Sequence, residues 1–215
     1  MQPKTQYMER FIMQDLIAWK NREDRKPLIL LGARQVGKTY ILKEFGQREF
    51  EKVAYINCDN NAMAKDLFAS DYNIDRILLT IGAITGVNIE AGKTLIIMDE
   101  IQELHRGLAS LKYFCENARE YHVAVAGSLL GLSLHQGESY PVGKVNTLEM
   151  YPMTFEEFLW ARGFKQRMDL LQHGMWDVVK SLRTLYIQHL REYYLVGGMP
   201  EAVNKFIETN DANAV

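Results

Sequence analysis

Cysteine is scarce in this chain of 215 residues, and its two copies, Cys58 and Cys115, form no C-x-x-C pair and have no histidines at ligand spacing. That pattern argues against a zinc or dithiol site and fits a reducing compartment. Cys115 falls on an apolar helical stripe and reads as core. No apolar run approaches the roughly 18 residues that span a bilayer, and Gln14 and Asp15 interrupt the N-terminal segment too early for a secretory signal. The expected location is the cytoplasm, with no membrane partner. Charge of one sign is lacking as well: 25 Lys plus Arg face 27 Asp plus Glu, a formal net charge of -2, so composition does not indicate a nucleic-acid partner. No internal repeat or low-complexity tract stands out. Apolar residues make up 47% of the chain, enough for one sizeable core with a smaller appendage.

Against that ordinary background one segment carries specific chemistry. Gly32, Ala33, Arg34, Gln35, Val36, Gly37, Lys38 and Thr39 read G-A-R-Q-V-G-K-T, directly after the apolar run Leu28 to Leu31 and before a helix-forming stretch, and together with the next residue, Tyr40, they are the candidate nucleotide-binding residues. Strand, loop and helix are thus in the order a phosphate-binding loop requires. Two glycines let the backbone curl so that successive N–H groups point at phosphate oxygens. Lys38 adds a cation toward the β- and γ-phosphates, and Thr39 offers a hydroxyl to Mg²⁺ at the positive end of the helix. Arg34 is a further phosphate contact or a solvated side chain. A second G-K-T, Gly92 to Thr94, has Val87 where the upstream glycine belongs and precedes a strand instead of following one, so it reads as a turn.

Elsewhere, Phe11, Ile12, Leu16 and Trp19 have helical spacing, and Lys38 to Phe45 reads as a helix ended by Gly46. Val53 to Asn57 reads as a strand, Ala62 to Ala69 as a short helix and Ile74 to Ile84 as another. Leu95 to Met98 suits a strand buried on both faces, with Asp99 and Glu100 at its carboxyl end, where ligands bind in such sheets. Ile101 to Ala118 carries a helical stripe, and Val123 to Ala126 and Val145 to Met150 are further strands. Strands alternating with helices imply right-handed crossovers and a parallel sheet between helical layers. Beyond Pro152 the pattern is helical, with an aromatic helix at Phe155 to Trp160 and a longer one from Trp176 to Tyr193. The expected division is 1–150 for the α/β core with its N-terminal helix and 151–215 for a helical lid.

An apolar strand ending in Asp99 and Glu100 is similar to a Walker B element. Asp99 would hold Mg²⁺, directly or through water, and Glu100 would orient and deprotonate the attacking water. The competing reading makes both of them caps of a helix beginning at Ile101. Ser128, at the end of the fourth strand, is the candidate sensor near the γ-phosphate, or an N-cap for Leu129 to Leu134.

Taken in order, L-G-A-R-Q-V-G-K-T, L-I-I-M-D-E-I-Q, A-G-S, Y-P-M-T-F-E-E-F-L and Y-L-V-G-G-M-P-E-A-V resemble the signature of prokaryotic AAA-superfamily P-loop ATPases related to the archaeal ATPases. The resemblance runs from about Tyr7 to Val203. It implies a P-loop NTPase three-layer sandwich with a mostly parallel five-stranded sheet of the additional-strand type, the Val123 to Ala126 strand lying between the P-loop and Walker B strands. It also implies ATP and Mg²⁺ as cofactors, a homo-oligomer as one assembly, and a second, C-terminal domain expected beyond Val215. Gly197 to Pro200 resembles the glycine-proline motif that related ATPases place near the nucleotide, which would make Pro200 a nucleotide-side residue; otherwise it is a helix stop followed by a helix start. Two positions depart from the pattern. Ala33 stands where proline is frequent, and Gly143-Lys144 stands where G-R is frequent, so lysine cannot copy an arginine's fork.

These readings converge on Mg²⁺-dependent hydrolysis of ATP to ADP and phosphate, with nucleotide state relayed through a helical lid to a partner domain or protein. A nucleotide-gated switch with little turnover is the alternative, and a small-molecule kinase using Arg162, Arg167 or Arg183 is a third. No guanine-reading N-K-x-D motif follows the Walker B strand.

Overall fold

A computed structural model describes residues 8–59, 61–65, 67–68, 71–128 and 141–214, without the side chain of Ser128. Met13–Met150 form one compact unit, and the described residues up to Ile12 together with those from Tyr151 form a second.

The first unit contains α1 (Ile12–Lys20), β1 (Leu28–Gly32), α2 (Lys38–Glu49), β2 (Lys52–Asn57), α3 (Ala62–Lys65) and α4 (Ile74–Thr85). It continues with β3 (Thr94–Asp99), a 3₁₀ turn (Ile101–Glu103), α5 (Gly107–Asn117), β4 (His122–Ser128) and β5 (Asn146–Met150). The five strands are all parallel, in the order β2-β3-β4-β1-β5, so β4 separates the P-loop strand from the strand carrying Asp99. Because every internal strand is covered on both faces, β3 is apolar without alternation and buried from Thr94 to Asp99. Ile29, Ala54, Ile56, Ile96, Met98, Val123 and Val125 meet Phe68, Ile77, Ile81, Leu111 and Phe114 in one core.

Local details correct several expectations. Gly46 lies within α2 and does not end it. A Cβ there would sit 2.6 Å from Val53 Cγ2, so glycine is required for the helix to approach β2, and the helix runs on to Glu49. The stripe from Ile101 is broken as well: a 3₁₀ turn comes first, and α5 starts only at Gly107, after Arg106 takes a left-handed φ of 62°. The second G-K-T is a turn leading into β3, with Gly92 at φ 74°. Ala69 and the Leu129 to Leu134 segment lie outside the described residues.

The second unit holds α6 (Phe155–Ala161), α7 (Lys165–Gln172), α8 (Trp176–Ser181), α9 (Arg183–Val196) and α10 (Pro200–Thr209). The single helix expected from Trp176 to Tyr193 is two, divided at Leu182, whose ψ of 12° leaves the helical range. Thr154 and Glu157 form a capping box at the start of α6. Glu157 also accepts from Phe11 N at 2.8 Å and pairs with Arg10 Nε at 3.1 Å, while Arg10 donates to Tyr151 O at 2.6 Å. These buried bonds explain why the described residues before Met13 group with the helices. Met8, Met153, Phe158, Leu159, Val203 and Phe206 form this unit's own core.

Candidate functional site: a phosphate loop facing a carboxylate pair

Parallel pairing sets the site's frame. Gly32 at the end of β1 is level with Ser128 on β4 and Met150 on β5, and Asp99 at the end of β3 is level with Asn57 and Ala126. The P-loop, Asp99 and the Ser128 backbone therefore share the carboxyl edge of the sheet, which is where open α/β sheets place their ligands. The Ser128 side chain lies outside the described residues.

The loop's conformation follows from its glycines. A Cβ on Gly32 would come within 2.4 Å of Met150 O, so no side chain fits where β1 passes β5. Gly37 opens α2 at φ 99°, a left-handed conformation that costs glycine nothing, and Gln35 takes φ 64°. Val36 is fully buried and anchors the loop, whereas Ala33, Arg34 and Gln35 face outward. Lys38 is 7% exposed, and its Nζ donates to Gly32 O at 3.0 Å and Ala33 O at 2.8 Å, closing the loop over its own carbonyls. Burial lowers its pKa, with Glu100 and Asp99 opposing that shift and Arg34 adding to it.

Thr39 Oγ1 donates to Asp99 Oδ2 at 2.5 Å, across sixty positions of sequence. Asp99 is 6% exposed, and Tyr55 OH donates to the same oxygen at 3.2 Å. Burial, then Asp99, pushes the Tyr55 phenol up to about 12, so it remains a donor at neutral pH. Cys58 is likewise pushed up to about 12 by burial, with Asp99 and Glu100 adding to the shift, so the thiol stays protonated and unreactive. Among the described residues no group of three or more His, Cys, Asp or Glu side chains could hold a metal. The hard oxygens of Thr39 and Asp99 fit Mg²⁺, which takes one or two protein ligands together with phosphates and water.

The capping reading of the two acids does not hold. Asp99 is the last residue of β3, and Glu100, at φ 53°, makes no side-chain capping bond to the 3₁₀ turn. Gln102 Nε2 instead donates to Glu100 Oε2 at 2.5 Å. Gln102 Oε1 is buried and meets no partner among the described residues, an arrangement that costs about 1–3 kcal/mol.

Arg34, Gln35, Gly37, Lys38, Thr39, Tyr40, Asp59, Glu100 and Glu103 surround a cavity of about 560 Å³, within the roughly 300–1,000 Å³ usual for ligand pockets. A larger hollow of about 680 Å³ beside α4 is lined by Leu78, Leu79, Gly82 and Val87 among others and has no cationic side chain, which makes it a poor polyphosphate site. Pro200 belongs to the helical unit, where it is the first residue of α10 and follows Gly197 at φ 76°. A Cβ on Gly198 would lie 2.3 Å from Met153 O. Arg162 is engaged with Glu192 and Arg167 with His189 in that same unit.

Tyr55, Asp59, Gln102 and Glu103 were not singled out by sequence reasoning. Tyr55 and Asp99 share a face of neighbouring strands, a signal that exists only once the β2–β3 pairing is known.

This geometry defines a P-loop nucleotide-binding protein with an inserted strand between its two phosphate-side strands. The family model described as AAA domain matches residues 24–159, more than half of the chain, and the chain belongs to that family of P-loop ATPases. An uncharacterized protein of Methanocaldococcus jannaschii, MJ1637, is 28% identical over 197 residues, covering 84% of this chain and 39% of its own length. Among solved structures, the Thermotoga maritima RuvB Holliday junction branch migration motor is similar with a TM-score of 0.50 and 15% identity, over 94% of this chain and 61% of that one. A mutant of the same RuvB gives a TM-score of 0.52 and 16% identity, over 92% and 58%. The chain thus spans less than two thirds of the length of each of these proteins.

Proposed function

We propose that the chain binds ATP with Mg²⁺ in the cavity beneath Gly32 to Tyr40 and hydrolyses it to ADP and phosphate. The observation that supports this most is the meeting of Thr39 Oγ1 and Asp99 Oδ2 at 2.5 Å beside a lysine that closes the loop. In this reading the amides from Ala33 to Tyr40 cradle the phosphates, Lys38 exchanges loop carbonyls for β- and γ-phosphate oxygens, and Arg34 supports the polyanion from the rim. Thr39 and Asp99 would hold Mg²⁺, which would supply charge neutralisation to the phosphates. Glu100 orients a water and takes its proton as the water oxygen bonds to the γ-phosphorus and the bond to the bridging oxygen breaks. Ser128 senses the γ-phosphate. The helical unit acts as the lid, with Pro200 on its nucleotide side, and relays nucleotide state to a further domain or partner.

A turnover assay on Glu100→Gln tests the chemistry. The expected loss in kcat is about 10²–10⁴-fold with ATP affinity retained; a variant that hydrolyses at the wild-type rate removes Glu100 from the mechanism.

One observation favours the alternative, a nucleotide-gated switch with little turnover. Lys144, at the position where arginine is frequent, is engaged by Glu116 at 2.8 Å. Tight binding with negligible single-turnover hydrolysis would select that reading.

A further inference from the structure

We infer that Gln102 is a positioning residue that holds the Glu100 carboxylate in its working orientation, an inference resting on the hydrolysis reading above. Two features of Gln102 point this way. Its Nε2 donates to Glu100 Oε2 at 2.5 Å, a charge-assisted bond of the stronger kind. Its Oε1 is buried without a partner among the described residues, although the residue as a whole is 7% exposed. For stability alone the amide is a poor choice, because a methionine of similar length fills the same space and leaves no acceptor unsatisfied. What the amide contributes is the grip on Glu100.

Glu100 needs that grip. It stands just beyond β3, outside the strand ladder, with a left-handed backbone and no capping bond. Its main-chain carbonyl is tied into the 3₁₀ turn by Glu103 N at 3.0 Å, and the residue lines the cavity. With Oε2 tethered by Gln102, Oε1 is the oxygen left to face a water in front of Lys38 and Thr39. Rotation about the two outer side-chain torsions of Glu100 would otherwise spread that oxygen over several positions, and small misplacements are costly in catalysis. Because Gln102 bonds Glu100 and is not among the residues that line the cavity, its effect should pass through Glu100.

The test is a double-mutant cycle on the full chain, combining Gln102→Met with Glu100→Gln and reading kcat, ATP affinity and melting temperature. Gln102→Met is expected to lower kcat about tenfold or more while ATP affinity stays within about twofold. Its melting temperature should match or exceed the wild type, the opposite of what a packing role predicts. In the Glu100→Gln background the same change should lower kcat by less than about twofold, because the residue it acts through is already gone. Gln102→Leu serves as a second variant if methionine packs badly.

Losses that multiply in the double mutant, or a lowered melting temperature with kcat unchanged, overturn the positioning role while leaving hydrolysis intact. A wild-type chain that binds ATP with Mg²⁺ yet shows no turnover overturns the hydrolysis reading and the positioning role with it.

Discussion

His122 illustrates how much one buried side chain can determine. It opens β4, is 6% exposed, and its ring meets those of Trp19 and Phe50 edge-on, at centroid distances of 6.0 and 4.8 Å. Burial first, then the Arg25 charge, brings its pKa down from 6.5 to about 4, so the folded protein keeps it neutral. A folded-state pKa below the unfolded value means that the stabilising contribution is complete above about pH 6.5 and is lost as pH falls from there toward about 4. Between about pH 7 and pH 5 the loss should be about 1–2 kcal/mol. Chemical denaturation at both values, with His122→Leu as the control, checks this: the wild type should weaken at the lower pH, and the variant should lose most of that difference. An equal pH response in both proteins would assign it to other groups.

Among the secondary elements, α6 shows that a helix start can organise a whole unit. Glu157 completes the capping box with Thr154 and simultaneously receives Phe11 N and Arg10, with side-chain exposures of 6% for Arg10 and 5% for Glu157. Removing the carboxylate takes the Glu157 charge away from a buried guanidinium. Glu157→Ala is therefore expected to cost about 3–5 kcal/mol, read as a fall in unfolding free energy, and Glu157→Gln should cost less because it keeps one acceptor. A cost below about 1 kcal/mol would place this pair with ordinary surface ion pairs.

How legible these elements were depended on the range of their signals. The P-loop, β1, β3 and Asp99 could be read directly because each is a contiguous pattern, an apolar run followed by the residues that end it. The Gly46 and Ile101 expectations failed because both applied local rules where tertiary packing decides: Gly46 is small because β2 presses against it, and a stripe that continues the helical period conceals the turn at Arg106. The Arg10–Glu157 pair joins residues 147 positions apart, and the Thr39–Asp99 contact joins the first turn of α2 to the end of β3. The first had no sequence signature. The second was anticipated only through the combination of motifs.

Across the whole molecule, two units each carry a separate core, one built on a parallel sheet and one on helices alone. All of the proposed phosphate and metal contacts except Pro200 fall in the sheet unit, so nucleotide binding should be a property of Met13–Met150 chemistry whatever the helices relay. Ligand that binds only the folded state raises stability by RT ln(1 + [L]/Kd), about 2.7 kcal/mol at a hundredfold excess over Kd. ATP with Mg²⁺ should therefore raise the melting temperature of the wild type, and of Glu100→Gln at least as much.

Isothermal titration of the full chain with ATP and Mg²⁺, run beside Lys38→Ala, tests the central claim most directly. The account predicts saturable one-to-one binding for the wild type and at least about a tenfold loss, some 1.4 kcal/mol, for the variant. Absence of saturable binding by the wild type up to about millimolar ATP, where the binding free energy is only about -4 kcal/mol, or equal affinity in both proteins, would contradict it.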